Sequence, residues 1–85
     1  MIIDMDSSTV KEKIKEYILS ASSNREKIHD NSLIFKEGFF DSMGFVMLIS
    51  FIDEAFGIKT VDADLVEENF ESINAITDFV VRKLK

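Results

Sequence analysis

Ser42-Met43-Gly44-Phe45-Val46-Met47-Leu48-Ile49-Ser50-Phe51-Ile52-Asp53-Glu54-Ala55-Phe56-Gly57 is the stretch whose periodicity decides the fold. Phe45, Leu48, Ile49, Ile52 and Phe56 recur at helical spacing along one stripe, while Met43, Val46 and Met47 sit on a neighbouring face near the start. Gly57 suits a left-handed C-terminal cap, so the pattern predicts a helix from Ser42 to Gly57. Upstream, Val10, Ile14, Tyr17, Ile18 and Ala21 predict a first helix over Val10–Ala21, with Thr9 and Glu12 in the form of a capping box. Downstream, a short third helix fits Asp64–Phe70, with Asp64 and Glu67 placed to cap it. Ser72 can cap a fourth, in which Ile73, Ile76, Val80 and Leu84 line one side and Arg82, Lys83 and Lys85 favour the negative end of the dipole.

The first and second helices are separated by about twenty residues, a connection longer than compact domains usually hold unless it packs on the core or has a function. Ile28, Leu33, Ile34, Phe35 and Phe39 can pin it down. No period-two strand pattern, internal repeat or low-complexity tract is present. The expected architecture is all-α. One domain over residues 1–85 forms a small four-helix bundle of three longer helices, a short third helix and a long loop between the first two.

Composition agrees with one small globular domain: 85 residues, 46% hydrophobic, 31% charged, without Cys, Pro or Trp and with a single His. So short a chain buries a modest core and has no disulfide to reinforce it, which leaves stability to helix packing. It has little room for a multi-residue catalytic cleft, and no enzymatic activity is expected. The opening Met1-Ile2-Ile3-Asp4-Met5-Asp6 is broken by acids and lacks a basic segment, unlike a signal peptide. The longest apolar run, Phe45 to Ile49, is too short to span a bilayer, and a cytoplasmic protein is expected.

The net charge of −6 counts against nucleic acid as a partner. Its distribution says more. Asp41, Asp53, Glu54, Asp62, Asp64, Glu67, Glu68 and Glu71 stand against Lys59 alone, so residues 41–71 carry −7 and the rest of the chain +1. Such a segment either solvates the surface or meets basic partners. His29 has no cysteine beside it and reads as a solvated loop residue. Asp62-Ala63-Asp64 with Glu67 and Glu68 lacks the EF-hand spacing and its central glycine, so no metal site is expected.

The segment Gly38-Phe39-Phe40-Asp41-Ser42-Met43-Gly44 puts a hydroxyl where the long loop meets an apolar helix. Unpaired N–H groups and the dipole at that end favour an anion, so a phosphodiester on Ser42 would be stabilised there. Equally, Asp41 or Ser42 could simply cap the helix.

The stretch Leu33-Ile34-Phe35-Lys36-Glu37-Gly38-Phe39-Phe40-Asp41-Ser42-Met43-Gly44, with Val46, Leu48, Ile49 and then Asp53-Glu54-Ala55-Phe56-Gly57-Ile58, resembles the acyl carrier protein family and its aminoacyl-carrying relatives. Glu68-Asn69-Phe70-Glu71-Ser72-Ile73-Asn74-Ala75-Ile76 is similar to the family's third loop and fourth helix. The resemblance implies a specialised free-standing carrier of acyl groups, held as thioesters on 4′-phosphopantetheine, which a phosphopantetheinyl transferase attaches to Ser42 from coenzyme A. It places the chain among the phosphoproteins of fatty-acid biosynthesis and lipid metabolism, as a monomer. It also gives a reason for the missing cysteine, since the arm brings the thiol. Asp41 matches the acidic residue before the serine. Met43, Val46 and Met47 would form an apolar patch adaptable to several partners. Asp53, Glu54, Glu67 and Glu68 would offer an acidic rim to basic docking surfaces on loading ligases and acyl-processing enzymes.

Two positions depart from the fatty-acid branch, which often has acids where this chain has Gly44 and Met47. Asp-Ser-Met-Gly after Glu-Gly-Phe-Phe is instead similar to the D-alanyl carriers, whose cargo is loaded by an AMP-forming ligase. A reading of another class treats the chain as an unmodified acidic adaptor that binds a partner through its second helix.

Overall fold

A computed structural model describes residues 6–22 and 27–85; the reading of residues 1–5 lies outside the described residues, as does part of the long connection. The described chain is a four-helix bundle: α1 (Ser7–Ala21), α2 (Ser42–Phe56), a 3-10 turn (Asp62–Asp64), α3 (Glu67–Phe70) and α4 (Ile73–Leu84). No strand occurs among the described residues.

Each of the three longer helices begins where a side chain satisfies a first-turn N–H. The Asp6 carboxylate accepts from the Thr9 N–H at 2.9 Å, so α1 starts three residues before the expected position and the Thr9–Glu12 box is not used. Val10, Ile14 and Ile18 then face inward, fully buried. Asp41 caps α2 by accepting from the Gly44 N–H at 2.9 Å, and Gly57 ends it at φ 65°, a conformation that costs a glycine little. The Ser72 hydroxyl accepts from the Ala75 N–H at 3.1 Å at the start of α4.

The third helix differs from the expectation of Asp64–Phe70. The Asp64 carboxylate turns back to accept from the Val61 N–H at 3.0 Å and closes the 3-10 turn. Val66 is extended, so the helix restarts only at Glu67. Leu84 also differs: it is 39% exposed, one turn beyond the buried stripe of Ile73, Ile76 and Val80.

The core lies between α1 and α4, which pack along their length, with α2 and α3 laid against α4. Tyr17 and Phe51 stack at 4.2 Å between ring centres and join α1 to α2. The connection packs down through Ile28, Ile34 and Phe40, all buried; Leu33, Phe35 and Phe39 are half-buried. It is tied by backbone bonds from the Ile34 N–H to the Glu71 carbonyl at 2.9 Å and from the Asn74 N–H to the Asp30 carbonyl at 3.0 Å. Lys11 and Lys15 of α1 hold the Asp30 carboxylate at 2.7 and 3.3 Å. The loop thus enters α2 from a fixed direction.

Candidate functional site

The loop-to-α2 junction brings together Asp41, Ser42, Met43 and Gly44. Because Asp41 makes the cap, Ser42 is the first residue of the helix and is not needed to close it. Its hydroxyl is exposed and makes no hydrogen bond to the described residues. The first-turn N–H groups of Ser42 and Met43 are likewise unclaimed among the described residues, since the Asp41 side chain takes that of Gly44 and its carbonyl that of Phe45. Ser42 therefore offers a hydroxyl beside two donors at the positive end of a 15-residue helix.

Two grooves flank this serine. One, of about 460 Å³, is walled by Phe35, Phe40, Phe45 and Phe70, with Leu65 and Val66 opposite α2. Its rings form a continuous series: Phe40 to Phe35 at 6.0 Å, Phe35 to Phe45 at 5.5 Å, Phe45 to Phe70 at 5.4 Å and Phe70 to Phe79 at 5.0 Å. Phe70 is almost fully buried and closes the inner end of the groove, with the buried Phe79 behind it. The other, of about 510 Å³, lies towards α1 and is lined by Tyr17, Phe39, Phe40, Met43, Gly44 and Met47. Phe40 belongs to both.

Along the outer face of α2, Met43, Val46 and Met47 are 66%, 58% and 56% exposed. They do not pack beneath the loop or α3. Leu65 and Val66, each nearly half exposed, extend the apolar surface across the groove. The signal for them was an apolar pair between Asp64 and Glu67, which the expected helix absorbed. Phe40 likewise carries no distinguishing signal in the sequence, where it stands as one of several aromatic residues in the loop.

The acidic residues divide. Glu54 and Glu68 are exposed, and Glu67 stands 3.7 Å from Lys36 in an exposed pair that contributes little energy. Asp53 is turned inward: its carboxylate accepts from the Thr60 hydroxyl at 2.6 Å and from the Thr60 N–H, which fixes the chain leaving α2. Asp64 accepts from Lys83 Nζ at 2.8 Å, and this bond with the Val61 N–H holds its carboxyl below the usual carboxylate range. Among the described residues no group of three or more His, Cys, Asp or Glu is placed to hold a metal ion, and no helix is long and apolar enough to cross a membrane. His29 is exposed, and its backbone N–H donates to Ser32 Oγ at 2.8 Å. No protein-family model matches the chain, and no curated protein matches it.

Proposed function

We propose that this protein is a carrier whose Ser42 receives 4′-phosphopantetheine and which thereby presents acyl or aminoacyl groups to partner enzymes. The observation that supports this most is the separation of duties at the start of α2. Asp41 caps the helix, while the adjacent Ser42 keeps an exposed hydroxyl without a structural hydrogen bond to the described residues. Its hydroxyl oxygen would form the bond to phosphorus as the pyrophosphate of coenzyme A breaks, with adenosine 3′,5′-bisphosphate leaving and the proton passing to the transferase. The Ser42 and Met43 N–H groups suit the resulting diester. The arm supplies a thiol to a chain that has no cysteine, and cargo is carried on it as a thioester.

The chain's own task is presentation. A tethered cargo has a high effective concentration at any enzyme that binds the carrier even weakly. Met43, Val46 and Met47 give such partners an apolar footing beside the serine, and Glu54, Glu67 and Glu68 favour approach by basic surfaces. The same exposed face would also serve an unmodified adaptor, and the two readings part at Ser42. An aminoacyl cargo loaded by an AMP-forming ligase is the second form of the carrier reading, favoured by the uncharged α2 surface around Gly44 and Met47.

Incubation with coenzyme A and a broad-specificity phosphopantetheinyl transferase should add one phosphopantetheine by intact mass. Because the chain has no cysteine, one titratable thiol per molecule should appear at the same time. Ser42→Ala should show neither change. A folded wild-type protein that gains no mass while the transferase modifies another carrier would favour the adaptor.

A further inference from the structure

Phe40 is the wall shared by the two grooves beside Ser42, and its ring lies against the one α2 position in that turn with no side chain. A Cβ built on Gly44 would stand 2.8 Å from Phe40 Cδ2 and 3.4 Å from Cγ. Carbon atoms pack at about 3.5–4.0 Å, so any other residue at position 44 forces the ring aside. The ring is 9% exposed and edge-on to Phe35, so the space open to it lies in the two grooves that it separates. Gly44 is not explained by backbone conformation, because φ is positive only at Gly38 and Gly57. Inside a helix glycine is also disfavoured by about 1 kcal/mol relative to alanine. The contact with Phe40 accounts for its presence.

We infer that Gly44 and Phe40 form a positioning pair that sets the shape of the surface around Ser42 and so determines how well a modifying enzyme recognises the carrier. The inference rests on the carrier reading. Displacing Phe40 moves the partition into one groove and opens the other, immediately beside the serine. The hydroxyl itself keeps its place, because alanine retains the N–H that Asp41 accepts. Recognition should therefore suffer while chemistry does not.

The test is a cycle of wild type, Gly44→Ala, Phe40→Leu and the double variant, assayed with coenzyme A and a phosphopantetheinyl transferase at a temperature where circular dichroism shows all four folded. Gly44→Ala should raise KM for the carrier by about threefold or more with kcat within about twofold. The smaller leucine should relieve the clash, so the double variant should show a lower KM than Gly44→Ala alone. A through-space NMR contact from the Phe40 ring to Gly44 should be seen in the wild type. Wild-type kinetics in Gly44→Ala, or a double variant in which the two effects merely add, would overturn the pairing while leaving the carrier reading intact. A wild type that accepts no phosphopantetheine overturns both.

Discussion

At position 41 one carboxylate closes a helix and stands next to the residue proposed for modification, and the two roles can be separated. As a cap, Asp41 accepts the Gly44 N–H at 2.9 Å, a bond that an asparagine oxygen can also accept. Asp41→Ala should therefore lower unfolding stability in urea by about 1 kcal/mol, whereas Asp41→Asn should stay close to wild type. If the carboxylate's charge also guides the transferase, Asp41→Asn should slow Ser42 modification without loss of stability. At this scale the sequence is only partly legible. It marks Asp41 and Ser42 as a helix start but not which of them caps, because both residue types do so and the choice depends on where the loop delivers the chain. Gly44 is less legible still: its neighbour Phe40 is named in the sequence, but the 2.8 Å approach exists only once the loop has turned. An acid at position 44 would have to displace that ring.

The elements differ in how they are held. α1, α2 and α4 bury continuous apolar stripes, and their existence is read directly from periodicity. The four residues of α3 are too few to be stable alone, and tertiary contacts must hold them. They are clamped to the end of α4: Lys83 donates to Asp64 at 2.8 Å, Arg82 to the Asn69 side chain at 2.9 Å, and Asn69 in turn to the Asp64 carbonyl at 2.8 Å. This network fixes the Leu65–Val66 wall of the aromatic groove. Lys83→Met should speed hydrogen exchange in Glu67–Phe70 while leaving the α1 and α4 core amides protected, a local loosening rather than global unfolding. Equal acceleration in α1 and α4 would mean that the clamp supports the whole bundle. The sequence shows the acids and bases of this network, but not their partners 13 and 19 residues apart. That is why the third helix is misplaced by sequence reasoning while α2 is found at both ends.

For the whole molecule, charge is segregated: residues 41–71 carry −7, and the cations that offset the remaining acids lie chiefly on α1 and the end of α4. Asp30 joins α1 to the long connection. One of its oxygens is buried without a hydrogen bond among the described residues and has the Lys15 ammonium at 3.3 Å as an ion pair, and the other meets Lys11 at 2.7 Å. The hydrogen bond from Lys11 does most to hold the Asp30 carboxyl below its ordinary value of 3.8, and Asp64 and the Asp6 cap are lowered in the same direction. A carboxyl with a lower pKa in the folded chain binds protons more readily when unfolded, so its contribution is complete above 3.8 and lost as pH falls through the lowered folded value. The urea midpoint should therefore drop steeply below about pH 4. Asp30→Asn should be less stable at pH 7, by up to about 1 kcal/mol for a partly exposed pair, and its acid-side decline should be shallower because one linked proton is gone. A decline as steep as in the wild type would place the acid sensitivity elsewhere than the lysine-bound loop. Since that loop delivers Phe40 and Asp41 to the start of α2, Asp30→Asn should also slow the proposed modification of Ser42 at pH 7, where the α1–α4 core stays folded.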